Sequence, residues 1–262
     1  MDVFSFDAGL VAGFFLTLMR ISLVIFLLPF YGGEYIPVQV KAALCLVLSM
    51  ALWPNLSFPG ELFPTHPAGI ALMILTETVL GLVLGLCVHF IFAAVQTGGE
   101  IMGFQMGFTM VTLADPSSGA QVSVTSHLLY MVALLIFLAM DGHLHLLRAL
   151  ADSFALIPPG GLTVNGSLTA DMLNFSGTMF SLAVRIAAPV MAALLTVELA
   201  LALMGRAAPQ MNLLTLGFPI KIAVGFFFMS ILFGIISMRM EELIFELSPL
   251  FKRVMGSARA PM

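Results

Sequence analysis

Three kinds of side chain in this 262-residue chain could do chemistry. The first is Asp141 with His143 and His145, an imidazole pair beside a carboxylate. Such groups bind zinc, but paired ligands on a helix stand at i and i+4, as in H-E-x-x-H. Spacing of i and i+2 turns the two rings to different sides of a helix. A polar helix end next to Arg148 and Asp152 accounts for them better, and His66, His89 and His127 are isolated. The second kind is nucleophilic. Ser, His and Asp are all present, yet neither a nucleophile elbow nor a phosphate-cradling glycine loop accompanies them. Catalytic residues, metal ligands and cofactor-binding residues are therefore assigned to no position. The third kind is ionised groups stranded in apolar sequence.

Arg20 splits an apolar run from Ala8 to Phe30, and Glu77 sits in one from Ala68 to Val95. Arg185 and Glu198 share the run from Phe175 to Met204. A charge at the centre of a lipid-facing helix costs about 2.5–3.5 kcal/mol, against about 0.3–0.6 kcal/mol returned by each Leu, Ile, Phe or Val. Several such charges in one chain must face protein or water. Arg185 and Glu198 lie 13 residues apart, roughly 20 Å along a helix, so each needs a partner elsewhere in the chain or in another subunit. Intramembrane carboxylates also serve proton relays, but no second His or carboxylate stands one turn from Glu77, Glu100 or Glu198. The pattern describes a subunit buried among partners, with part of its surface lining a wet path.

Composition agrees. Hydrophobic residues make up 60% and charged residues 9% of the chain, where soluble domains carry about 25% charged. No polar stretch is long enough for a separate soluble domain. Net charge is −4 and the basic residues are scattered, which excludes nucleic acid as a partner. Nothing basic precedes Arg20, so the first apolar segment reads as retained rather than as a signal peptide. Cys45 and Cys87 both fall in apolar segments and read as two buried thiols.

Six apolar segments, about 8–30, 39–53, 68–96, 122–147, 175–205 and 217–238, must position these groups. The second is short for a span of about 20 residues. Pro54, Pro59, Pro64 and Pro67 make a non-helical connection beginning at Trp53, an interfacial anchor. Pro158-Pro159-Gly160-Gly161 opens a second loop, whose Thr163, Asn165, Ser167 and Thr169 need water, and 97–121 is a third break. Asp2 and Asp7 place the N-terminus outside, while Lys252, Arg253 and Arg259 place the C-terminus inside. Six full crossings would put both ends on one side. Either a segment fails to span, or the amphipathic stretch Met238–Met255 makes an extra pass or lies at the interface.

In the third break, Gly99, Gly103 and Gly107 recur every four residues, as do Met102, Met106 and Met110. This spacing lets helix backbones approach closely, and a tightly packed helix pair is one reading. The other is a deformable hydrophobic seal. Glycine weakens a helix by about 1 kcal/mol each, Met re-packs readily, and hydrophobic constrictions gate by dewetting.

Resemblance to a family enters at the same residues. Gly81-Leu82-Val83-Leu84-Gly85, Gly98 through Gly107, Asp115-Pro116 and Gly119 resemble the FliR family of flagellar type III export-gate subunits. The likeness continues through Asp141-Gly142-His143 and on to Arg148. It is most specific in Arg206-Ala207-Ala208-Pro209-Gln210-Met211-Asn212 and Gly217-Phe218-Pro219-Ile220-Lys221. It implies an all-α membrane protein of helical hairpins and broken helices, without enzymatic activity or cofactors. Residues 1–174 would be FliP-like and 175–262 a FliQ-like hairpin with an amphipathic tail. FliP and FliQ would be its partners in a closed helical pore, with FlhB and FlhA nearby, unfolded flagellar proteins as cargo and membrane lipid around it. The assembly would sit at the bacterial inner membrane in the flagellar basal body, partly raised towards the periplasm.

The region about 103–119 would plug the pore, with Met102, Phe104, Met106, Phe108, Met110 and Leu113 as seal residues. Subunit contacts are expected at Gly99, Gly103, Gly107, Arg185 and Glu198. Arg206, Pro209, Gln210, Asn212 and Lys221 would form a hairpin tip at the cytoplasmic entrance. The competing readings are a secondary transporter or ion channel using the buried carboxylates, and a polytopic membrane enzyme using His143 or His145.

Overall fold

The computed structural model describes residues 8–32, 36–55, 66–108, 123–162, 166–210 and 212–257. Among these, every regular element is a helix. In chain order they are α1 (Ala8–Leu27), α2 (Pro29–Gly32), α3 (Val38–Leu52) with a 3-10 turn at Trp53–Asn55, and α4 (Pro67–Met106). Then follow α5 (Val124–Ala139), α6 (Gly142–Leu156), α7 (Gly166–Ala207) and α8 (Leu213–Ser257). The all-α expectation holds. Helices satisfy their own backbone hydrogen bonds, the condition for apolar sequence in lipid or in a dry protein interior.

Proline and glycine punctuate the helices as their chemistry requires. α4 opens on Pro67, whose missing N–H is harmless in a first turn, and stops where Gly107 turns to φ 91°. α6 begins after Asp141 at φ 55°, a left-handed conformation that a short polar side chain tolerates.

Among the described residues, three helices are long and apolar enough to cross a membrane: Pro67–Met106, Gly166–Ala207 and Thr215–Met238. The pair α5 and α6, broken at Met140–Asp141, would be a fourth if taken together. Val11–Leu27 and Val38–Leu52 are apolar but shorter. Of the two ways out of the topology conflict, the failure of some segments to span is therefore available. The stretch Met238–Met255 makes no separate pass, because it continues α8 without interruption. Two other expectations need correction. The break expected from residue 97 begins only at Gly107, since α4 runs through Gly99 and Gly103 as helix. Ser167 and Thr169, expected in a loop, lie in the first turn of α7.

The chain packs as two compact units. One comprises Met1–Phe90, Asp141–Phe175 and Ile244–Met262. In it Gly81 and Gly85 of α4 admit the side chains of Leu23 and Leu27 of α1, a close crossing of the small-xxx-small kind. The other comprises Ile91–Met140 and Ser176–Leu243. Here α5 runs antiparallel to α4, with Phe92 edge-on to Phe137 at 5.3 Å and Ser126 against Gly99. α7 runs parallel to α4, because Gly98 abuts Ala183 and Ile186 while Gln105 Nε2 reaches the Met191 carbonyl at 3.5 Å. α8 returns antiparallel to α7, placing Lys221 beside Glu198 and Leu201 beside Gly217.

Candidate functional site

Arg20 and Glu77 form the polar centre of the first unit. Arg20 Nε donates to Glu77 Oε2 at 2.7 Å and Nη2 to Oε1 at 2.9 Å, a bidentate pair whose side chains are 0% and 1% exposed. Nη1 donates to the Ile157 carbonyl at 3.0 Å and to Ser153 Oγ at 3.4 Å. The guanidinium lies 4.3 Å from the centroid of the Phe154 ring. Glu77 Oε1 also accepts the Gly160 N–H at 2.9 Å. Four of the five arginine N–H groups are used. The centre thereby ties α1, α4, α6 and the turn after α6 together. The two charges that the apolar runs strand are each other's partner, 57 residues apart in sequence. Nothing in the sequence pairs them except opposite sign and equal isolation.

In the second unit the last three turns of α4 are packed on several sides. Thr125 Oγ1 donates to the Gly99 carbonyl at 2.9 Å, and Ser123 and Thr125 fill the space beside Gly103. The Met106 side chain occupies the notch at Gly225 of α8, and the Phe218 ring covers Gly107. Phe108 meets Phe226 edge-on at 6.2 Å. The room made by the three glycines expected at subunit contacts is thus taken by α5 and α8 of this same chain.

The seal candidates do not share one face. Met102 and Met106 are fully buried in their own unit, Phe108 is half-buried, and Phe104 is 71% exposed. Met110 and Leu113 lie outside the described residues. At the hairpin, Lys221 Nζ donates to Glu198 Oε1 at 2.5 Å, which gives Glu198 an internal partner. Arg206, Pro209, Gln210 and Asn212 are exposed around the turn between α7 and α8, and Arg185 is exposed on α7. The sequence reading missed both the Met106–Gly225 fit and the Glu198–Lys221 pair. The second was open to the argument that a lone Lys and a lone Glu on the two arms of a hairpin answer one another.

Both cysteines are free and buried. His143 stands in the first turn of α6 with a buried Nδ1 that lacks a hydrogen-bond partner among the described residues. Among the described residues no group of three or more His, Cys, Asp or Glu side chains comes together for a metal ion.

Long apolar helices around satisfied buried charges, with much exposed apolar surface, define an all-α membrane protein. The chain belongs to the bacterial export proteins, family 1, whose family model matches residues 11–247. It is 33% identical to the flagellar biosynthetic protein FliR of Escherichia coli K12, over 89% of each chain. It is 32% identical to that of Bacillus subtilis 168, over 85% of this chain and 86% of the relative. For FliR of Pectobacterium carotovorum the identity is 30%, over 94% and 93%. The resemblance read from the sequence is borne out.

Proposed function

We propose that this chain is a subunit of the flagellar type III protein-export gate, helping to form and seal the pore through which unfolded flagellar proteins leave the cell. The observation that carries this reading is the family match, which runs from residue 11 to residue 247 and leaves little of the chain for another activity. Its relatives' shared name, flagellar biosynthetic protein FliR, supplies the flagellar system. The exposed surface supports membership of a larger assembly. Phe104, Leu195, Leu199, Phe227 and Ile231 are all more than half exposed, and apolar surface on this scale marks contacts with protein or lipid.

FliP- and FliQ-type subunits are the partners this reading names. Phe104 is the described seal candidate with a free ring, while Met106 and Phe108 anchor the chain that leads into residues 109–119. A partly raised position fits the helix lengths. α7 has 42 residues and α8 has 45, roughly 63 and 68 Å at 1.5 Å each, about twice a hydrocarbon core of about 30 Å.

The test is deletion of the gene and complementation with this chain, reading secreted hook and filament proteins together with copurifying gate subunits. Restored secretion and a large hetero-oligomer are expected. A chain that purifies alone, or a deletion that leaves secretion intact, refutes the reading. The transporter reading is not favoured, because Glu77 and Glu198 are both paired with internal partners.

A further inference from the structure

The two halves of α7 differ in polarity, and the change falls at Arg185. From Ser167 to Ser181 seven side chains are polar. From Ile186 to Gly205 the polar side chains are Thr196 and Glu198 alone. Arg206 closes that second stretch. Arg185 and Arg206 are 21 residues apart on one helix, about 32 Å at 1.5 Å per residue, against about 30 Å for a hydrocarbon core. Both are exposed, and neither has a hydrogen-bond or ion-pair partner among the described residues.

Between these levels the hairpin satisfies its polar groups internally, as hydrocarbon demands. Exposed Thr196 Oγ1 donates to the Ala192 carbonyl at 2.9 Å, and exposed Ser230 Oγ to the Phe227 carbonyl at 2.6 Å. Thr215 Oγ1 donates to the Asn212 carbonyl at 2.8 Å. Glu198 and Lys221 neutralise each other. The outward surface is Leu195, Leu199 and Leu203 on α7 and Ile220, Phe227 and Ile231 on α8.

A third helix marks the same plane. α4 runs parallel to α7 with Gly98 beside Ala183 and Ile186, so Glu100 stands nearly level with Arg185. Glu100 is exposed and has no partner among the described residues. Burial separates the helices in the same sense. The apolar window of Pro67–Met106 is 61% buried inside the protein, while those of Gly166–Ala207 and Thr215–Met238 are each 22% buried.

We propose that the bilayer meets this chain between the levels of Arg185 and Arg206, and that these two arginines bind headgroup phosphates of opposite leaflets. Guanidinium pairs with phosphate bidentately, and long basic side chains at the ends of a span reach the interface. The proposal rests on the export-gate reading and deepens it by assigning the lipid-bearing segment, Ile186–Gly205 with the facing arm of α8. A carboxylate on a neighbouring subunit is the rival partner for Arg185.

Two measurements on the full assembly in phospholipid nanodiscs test it. Nitroxide labels are placed at Val184, Leu195, Ala207 and Phe227, leaving both arginines intact, and at Glu100 and Asn174. Relaxation by oxygen relative to a water-soluble nickel chelate should be several-fold higher at 195 and 227 than at 184 and 207, and water-like at 100 and 174. A label at 184 as lipid-exposed as one at 195 overturns the proposal, as does a lipid-exposed label at 174. A label at 184 shielded from both reagents overturns it in favour of the subunit carboxylate. Native mass spectrometry then counts retained phosphatidylglycerol. Arg185→Gln and Arg206→Gln should each lose about one lipid, with Arg185→Lys retaining part, and unchanged counts overturn the phosphate contacts. Gate subunits in the same sample are read by copurification, so loss of partners with an unchanged depth profile counts against the export reading alone.

Discussion

Arg20 shows how much a single residue type can and cannot announce. An arginine within twenty residues of apolar sequence must be neutralised, and that requirement was legible. Its partner was not, because the Arg20–Glu77 contact exists only once Gly81 and Gly85 let α1 settle against α4. Removing one member leaves the other buried and unpaired, which costs about 3–5 kcal/mol. Glu77→Ala should therefore lower the melting temperature of the purified assembly, or its steady-state level in membranes, far more than Glu100→Ala at an exposed position. Replacing both charges by apolar residues, Arg20→Met with Glu77→Leu, should recover most of the loss, since buried pairs are often exchangeable for packed hydrocarbon. Equal damage from the single and double substitutions would mean that the hydrogen bonds to Ile157 and Gly160, rather than the charge balance, hold the centre.

At the scale of elements, the helices were legible from apolar length and from Pro and Gly punctuation, and the largest error was the break expected from residue 97. Gly99 and Gly103 lower intrinsic helix stability by about 1 kcal/mol each relative to alanine. In place they let Ser123, Thr125 and Ser126 approach, and this packing outweighs the propensity, while Gly107 does end the helix. Periodicity records spacing; it does not say whether the room a glycine leaves is filled from within the chain or from outside. The fit of Met106 into Gly225 gives a sharp test. Gly225→Val should destabilise the assembly by about 1–3 kcal/mol through overpacking, and adding Met106→Ala should relieve much of it. Gly234→Val, with open space around it, should be close to neutral in the same melting experiment. The Glu198–Lys221 pair makes a second prediction at this scale. Glu198→Gln should reduce the level of membrane-inserted protein, and the exchanged pair Glu198→Lys with Lys221→Glu should restore it.

For the whole molecule, length proved more informative than hydropathy. Counting apolar segments gave six crossings and a contradiction between the two ends, because apolar sequence buried in protein and apolar sequence facing lipid look alike in a window. The structure separates them by exposure: α4 is largely enclosed while α7 and α8 are not. The division of the chain after residue 174 and the residues that seal the pore were carried by family likeness rather than by physical pattern. The seal makes its own prediction. Deleting Met106–Leu113 should leave the subunits copurifying while cells become leaky to small ions, measured as collapse of membrane potential under a dye. An intact potential would remove this segment from the barrier.

The backbone of Gly160 acts as a reporter on the buried charge pair. Its N–H is held by the carboxylate that balances Arg20, and its left-handed φ of 81° keeps that group aimed inward. Deuterium uptake at this one amide therefore reports on a charge pair to which the glycine does not belong. Slow exchange would certify that α1, α4 and α6 are locked together, and accelerated exchange would register their loosening before any helix melts.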